Sequence, residues 1–576
     1  MNQKLENILN VSLDATEDEL RKADSLSTGY NWRDNTWEII VKYSGSLESI
    51  RNRYNVYIKE LLNYYAIIVA DKATIELISQ EDVIDYVEKP KSLYYQIERT
   101  KTGACVGSVR ADGNILSGKG VIVGVIDTGI DIFDNAFRNS DGTTRILNIY
   151  DQTTGEKYDK QSIDEYIRLN EDLSGGTFSY DNAPGVDNIM HGTDVSYIAA
   201  GSLGVAYEAD IIAVKMGYSI NNQFPRTTSL MDAIDYIIRK AIEYRKPVAV
   251  NISYGCNYGA HNGNTLLESF IDDISKSYRC VICVGSGNEA DKAIHFGGII
   301  NTGQVQTAYL SVGEYQSAID IQIWKNYWDT IDVMLINPRG EQIGIITEGR
   351  INRYETYNTE IITLLGEPSP YNIYQEIYIN LIPKTDYILS GIWQIVLMAG
   401  SIRAGEYNIW LPSSQALGYA TAFNNPTADG TITIPATARN CIAVGAYNAY
   451  TNSYAAFSGR GFDNSIRNVN AGVKPDITAP GVDISIARQR GNDITYRNVT
   501  GTSYAVPVVT GAAALLMQWG IVMGNDRFMY GEKLKAALID GSKPVGLVGI
   551  TRNDNQPDPR TGWGAVCLKN TLNKIL

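Results

Sequence analysis

Asp127, His191 and Ser503 are the residues whose types and local settings could together carry out nucleophilic chemistry in this sequence. Asp127 ends the apolar run Val121-Ile-Val-Gly-Val-Ile, just past the carboxyl end of a strand, where open α/β sheets place their ligands. His191 begins His-Gly-Thr-Asp-Val-Ser-Tyr-Ile-Ala-Ala, a helix start with a glycine that permits close backbone approach. Ser503 lies in Gly501-Thr-Ser-Tyr-Ala-Val-Pro-Val-Val-Thr-Gly-Ala, at the opening of an apolar helix whose free amides favour negative charge. Each alone reads more economically as structural: a capping Asp, a core His, a Ser N-cap. Together they are the three groups of a relay, in which the histidine takes the proton of a weakly nucleophilic hydroxyl and the aspartate holds the imidazole. The chain has only three histidines, and His261 and His295 have no metal-ligand partners at recognised spacing.

Two more segments accompany them, Val284-Gly-Ser-Gly-Asn288-Glu and Asn251-Ile-Ser253-Tyr-Gly255. Asp127-Thr-Gly, His191-Gly-Thr and Gly501-Thr-Ser503-x-Ala-x-Pro507, in that order, resemble the three active-site signatures of the subtilisin-like serine proteases, peptidase family S8. The resemblance implies catalytic roles for Asp127, His191 and Ser503, with Asn288 and the Ser503 amide as oxyanion donors. It also implies that Ser253, Tyr254 and Gly255 bind a substrate strand through the backbone, while Gly285, Ser286 and Gly287 leave room for the side chain before the cut bond. Pro507 falls one turn into the helix, where a missing N–H is nearly harmless. Three positions depart from the family pattern: Tyr504 replaces the common Met, Tyr207 replaces the Pro of a Gly-Val-Ala-Pro turn, and Asp194 replaces an apolar residue or His. Asp194 puts an additional carboxylate near the triad, which bears on the pH profile.

The elements that must position these groups follow from hydrophobic period. From about 35 to 90, Trp37–Tyr43 and Tyr64–Ala70 read as strands, Ser46–Tyr54 and Lys72–Ser79 as helices, the second behind a capping Asp71, and Val83–Val87 closes a small α/β unit. Beyond a polar connection, Val121–Ile126, Val248–Ser253, Val281–Gly285 and Cys441–Gly445 are fully apolar runs, the pattern of a buried parallel sheet, and Ser229–Tyr244 has helical spacing. From about Ile299 to Gly430, short alternating runs such as Ile319–Trp324, Ile331–Ile336, Glu376–Ile382, Trp393–Leu397 and Tyr407–Leu411 predict an inserted β-sandwich. A long apolar helix is expected over Thr502–Trp519. These patterns predict an α/β fold with a parallel sheet, a small N-terminal α/β unit and an inserted β-sandwich; the resemblance implies that the sheet is subtilisin-like with helices on both faces, the N-terminal unit a ferredoxin-like prodomain and the insert jelly-roll-like. The divisions fall at 1–96, 97–298, 299–430 and 431–576.

The 576 residues allow roughly three to five folded units. At 44% hydrophobic and 20% charged residues there is ample core, and a net charge of −14 disfavours nucleic acid and anionic lipid as partners. The six cysteines have neither disulfide-scaffold density nor zinc spacing and read as buried thiols, Cys280 and Cys283 included. Gly118-Lys-Gly precedes a strand where a phosphate loop would follow one. Met1-Asn-Gln-Lys-Leu-Glu-Asn lacks the pattern of a signal peptide, and no span of 18 apolar residues occurs, so the expectation is a cytoplasmic protein without a membrane partner, or a spore-associated one as the resemblance described next implies.

A small leading α/β unit together with a sandwich inserted between the Asn288 and Ser503 motifs is similar to the clostridial germination proteases of the Csp type. That resemblance implies a serine endopeptidase that cuts and retains its own prodomain, with cleavage around Tyr95, Gln96 and Ile97, and that activates a protein precursor during germination. The partners implied are a protein or peptide substrate and the cleaved prodomain. No cofactor is implied; calcium occurs in the family, but no ligands can be assigned here. The alternative, a binding or sensing pseudoprotease, would be signalled by a lost triad residue.

Overall fold

The computed structural model describes residues 2–92, 94–95, 116–173, 183–217, 224–346, 349–462, 472–490, 493–546 and 557–575. The chain begins with three short helices, Asn7–Asp14, Glu17–Lys22 and Asp24–Ser27, which the sequence reading passed over. A signal for the second was present: Thr16-x-x-Glu19 forms a capping box, with Thr16 N donating to Glu19 Oε2 at 2.6 Å. An antiparallel sheet follows, with Thr36–Tyr43 at its centre between Tyr65–Ala70 and Ile84–Glu88. Two helices accompany it, Glu48–Tyr54 and Lys72–Gln80, and Asp71 caps the latter through Thr74 N at 3.0 Å.

Both faces of this small sheet are covered, which explains why Ile39-Ile40-Val41 is apolar without interruption. Ile39, Val41, Ala66 and Ile68 pack with the leading helices and with Ile362, Leu364, Tyr378 and Ile382 of the sandwich. Ile40, Leu61, Tyr65 and Ile67 pack instead on the helices Thr227–Tyr244 and Leu266–Ser277. The tail of the unit runs on across the larger sheet, where Lys91 and Thr227 exchange backbone and hydroxyl hydrogen bonds at 2.7–2.8 Å.

The larger sheet is parallel through its middle. Ile122–Asp127 lies between Asp210–Lys215 and Val248–Ile252; beyond these come Ile146–Asp151 on one side and Cys280–Gly285, Ile442–Asn448 and Ile477–Pro480 on the other. Short antiparallel strands close both edges. Helices His191–Ala200 and Thr502–Met517 cover one face, and Thr227–Tyr244 and Leu266–Ser277 the other. The apolar helix is α-helical to Met517 and continues as a π turn over Gln518–Val522, so it spans the expected Thr502–Trp519 and runs slightly beyond it. It is long and apolar enough to cross a membrane, yet it is 83% buried inside the protein, as the core helix of the sheet.

The inserted segment forms two antiparallel sheets around one core of Ile, Leu and Trp393. Its first strand is His295–Ile299, which pairs with Glu406–Trp410, so the sandwich begins slightly before the expected division at 299. The described cysteines, Cys256, Cys280, Cys283, Cys441 and Cys567, are all buried free thiols; Cys105 lies outside the described residues. Burial pushes the Cys256, Cys280 and Cys283 thiols up to about 12.

Candidate active site

The strand Ile122–Asp127 delivers Asp127 to the carboxyl edge of the sheet, and the helix His191–Ala200 delivers His191 to the same point. His191 Nδ1 donates to Asp127 Oδ1 at 2.6 Å, and Thr128 N donates to the same oxygen at 2.8 Å. Because a carboxylate only accepts, this bond fixes the Nδ1–H tautomer and leaves Nε2 as the basic nitrogen. Both side chains are at most 2% exposed. Gly192 makes the approach possible: a Cβ there would sit 2.3 Å from Gly129 O and 2.9 Å from Asp127 Cβ.

Ser503 occupies the first turn of Thr502–Met517 and is fully buried. The helix is fixed from below by a chain of polar contacts. Thr510 Oγ1 donates to Asn251 Oδ1 at 3.1 Å, Asn251 Nδ2 to Ser253 Oγ at 3.0 Å, and Ser253 Oγ to Ser503 O at 3.2 Å. Ser253 thus anchors the serine helix with its side chain. Asn288 Oδ1 accepts from Thr502 N at 3.0 Å and Thr502 Oγ1 at 3.1 Å, and its buried Nδ2 has no hydrogen-bond partner among the described residues. A donor so oriented and unspent is what a developing oxyanion requires. The Tyr504 ring lies 5.3 Å from the His191 ring, and burial pushes its hydroxyl up to about 12.

Gly285, Ser286 and Gly287 run along the strand end beneath Asn288. Ser286 N donates to Val444 O at 2.9 Å and Ser286 O accepts from Thr433 N at 3.0 Å, so its backbone polar groups are used internally. Gly287 has φ +96°, and a Cβ there would meet Thr433 Cγ2 at 2.5 Å, which makes Thr433 a neighbour of this segment that sequence reading did not identify. Tyr254–Gly255 forms a two-residue strand, and its antiparallel partner is Tyr94–Tyr95, with Tyr95 opposite Tyr254 and Tyr94 opposite Gly255. Gln96 and Ile97, the other two expected cleavage positions, lie outside the described residues.

Asp187 was not singled out from sequence, yet it ties the site together. Its Oδ1 accepts from Thr128 Oγ1 at 2.7 Å and Met190 N at 2.7 Å, and its Oδ2 accepts from Thr193 N and Thr193 Oγ1, both at 2.8 Å. Thr128 Oγ1 in turn accepts from Gly192 N at 2.9 Å. One buried carboxylate therefore holds the turn after Asp127 against the helix start at His191. Its position four residues before the histidine, in Asp187-Asn-Ile-Met-His191, was the available signal.

Asp194, the unexpected carboxylate, is fully buried and ion-paired with Arg488 and Arg497, so its charge is compensated. His261 and His295 both stack on Trp410, with ring centroids 4.2 and 4.9 Å away, and are hydrogen-bonded respectively to Ile432 O and Asn408 Oδ1, not to Asp127, His191 or Ser503. Among the described residues no group of three or more His, Cys, Asp or Glu is placed to hold a metal ion.

The model of the subtilase family matches residues 118–368 and 404–564, and that of the Csp protease B prodomain matches residues 3–91. The solved CspB protease of Clostridium perfringens is 34% identical, covering 82% of this chain and 96% of its own, with a TM-score of 0.74. Among curated proteins, the subtilase-type proteinase RRT12 of Saccharomyces cerevisiae is 33% identical over 22% of this chain and 23% of its own length. Subtilisin-like protease 10 of Arthroderma otae is 34% identical over 21% of this chain and 27% of its own length. The matched stretch thus spans about a quarter of these curated relatives.

Proposed function

This chain belongs to the subtilase family of serine endopeptidases, and on that footing we propose that it hydrolyses peptide bonds with Ser503 as nucleophile, His191 as general base and Asp127 as the group that orients the imidazole. Ser503 attacks the carbonyl carbon while His191 Nε2 takes its proton; the same nitrogen returns the proton to the leaving amine, and water repeats the sequence on the acyl-enzyme. Asn288 Nδ2 and the amide of Ser503 stabilise the oxyanion. The observation that carries this reading is the antiparallel pairing of Tyr94–Tyr95 with Tyr254–Gly255, which lays a peptide strand across the site as a substrate would lie. Tyr95, the last described residue of that strand, lies opposite Tyr254, next in sequence to Ser253, which is bonded to Ser503 O, and this supports autocleavage close to Gln96 in cis.

The external substrate is a protein precursor, the reading supported by the Csp protease B prodomain match and by the inserted sandwich, and the setting is germination in or around the spore. The test is intact-mass analysis of the purified chain beside Ser503→Ala, with fluorophosphonate labelling of both. Wild type cut near residue 96 and labelled, with the variant whole and unlabelled, supports the assignment; processing of the variant purified alone refutes it.

A further inference from the structure

Asp194 lies one turn into the His191 helix and has no exposed surface. Its two partners come from opposite strands of one hairpin, Ile484–Arg490 and Asp493–Val499. Arg488 gives Nε to Asp194 Oδ1 at 3.0 Å, and its Nη2 reaches the same oxygen and Met190 O at 2.9 Å, the carbonyl immediately before His191. Arg497 pairs with the other carboxylate oxygen. The second strand ends at Val499, four residues before Ser503. A buried carboxylate left without these cations would be strongly destabilising, and two guanidinium groups without the carboxylate would repel.

We propose that the Asp194–Arg488–Arg497 cluster is a positioning device for the reaction, holding the His191 helix against the hairpin that leads into Ser503 and setting the charge felt by the imidazole. The inference rests on the proposed roles of His191 and Ser503. The charged and titratable groups on the elements packed against the His191 helix come from several places. Asp127 lies on the central strand, Asp187 before the helix and Asp194 within it; Asp131, Asp134 and Arg138 lie on the turn packed across it, Arg488 and Arg497 on the hairpin, and Tyr504 on the serine helix. Removing negative charge from this set opposes protonation of the imidazole, and removing positive charge favours it.

The two halves of the cluster therefore give opposite signs, which a merely structural role does not. The experiment follows the rate of fluorophosphonate labelling of Ser503 against pH in the full chain, with melting temperatures measured in parallel. Asp194→Asn moves the acid limb to lower pH by about half a unit, and Arg488→Met/Arg497→Met moves it to higher pH by about as much. If Asp194→Asn does not fold, Arg497→Met alone decides: its side chain is 41% exposed, Arg488 still pairs Asp194, and the limb moves upward. Labelled variants whose profiles superimpose on wild type overturn the coupling, however much their melting temperatures fall. A wild type that is never labelled overturns the assignment of Ser503 itself and leaves the coupling without a reaction to act on.

Discussion

Asn288 is held by one end and unspent at the other, and that asymmetry makes its role separable from folding. Its Oδ1 takes two hydrogen bonds from Thr502 while Nδ2 has none among the described residues. Asn288→Ala should lower kcat by about 10² to 10³ with KM little changed, the cost found when an oxyanion asparagine is removed from subtilisin; steady-state kinetics on a peptide copying Lys91–Lys101 would read it, and a change confined to KM would assign Asn288 to substrate binding instead. Asp187 behaves differently, because all its acceptor capacity goes to its own protein. Asp187→Asn leaves one carbonyl oxygen where two carboxylate oxygens served Thr128, Met190 and Thr193. At about 1–3 kcal/mol for each buried donor left unpaired, the denaturant midpoint falls, and kcat falls with it as His191 loses its fixed place beside Asp127. An unchanged midpoint would show that water replaces the lost acceptor without strain.

At the scale of elements, the site is made where the helices His191–Ala200 and Thr502–Met517 meet, and the contact turns on Gly511. A Cβ at Gly511 would lie 2.5 Å from Val205 Cβ and 2.9 Å from Ala199 O. Alanine is the better helix former by about 1 kcal/mol, yet here overpacking should win, and Gly511→Ala should destabilise by about 1–3 kcal/mol; a raised melting temperature would mean the helices separate without cost. The strands and helices of this core were legible in sequence because burial on both faces leaves continuous apolar runs, as in Val121–Ile126 and Cys280–Val284. The candidate triad was legible as three motifs because each sits at an element end with distinctive glycines. The leading helices 7–27 were missed because their apolar positions, Ile8, Leu9, Val11 and Leu20, are spread over pieces too short to show a period. Asp187, Thr433 and the arginine partners of Asp194 are assembled across more than one element, and no local pattern announces such contacts.

The whole molecule is three packed units with ionisable groups buried where they meet. Asn7 and Lys89 of the leading unit face Glu376 and Asp320 of the sandwich, and Glu88 caps the start of the helix Leu266–Ser277 through Leu266 N at 2.8 Å. Burial chiefly pushes Glu376 up to about 7 and Asp320 up to about 6, and raises Glu6 as well, while it pulls Lys89 down to about 7. A carboxyl raised at the junction binds its proton more tightly there than after separation, so its contribution to retention is full below its ordinary value near 4 and is lost as pH rises through 6 to 7. Lys89 runs the other way: lowered at the junction, it contributes fully above its ordinary value near 10.5, and that contribution is lost as pH falls toward 7. The two trends cross near neutrality, where retention of a cleaved leading unit is weakest. Apolar contact on two sides, with Tyr65 against Phe270 and Ala66 and Ile68 in one core with Tyr378, would keep a cleaved fragment bound even there. The processed protein should therefore elute from gel filtration as one species that denaturing electrophoresis resolves into pieces of about 10 and about 53 kDa. On dilution the small piece should dissociate fastest near pH 7 and more slowly at pH 5 and pH 9. Glu376→Gln, which cannot ionise, should flatten the acid side of that profile and leave the alkaline side in place; an acid side unchanged by the substitution would move the effect to Asp320 and Glu6, and dissociation equally fast at all three pH values would remove the junction from the control of retention.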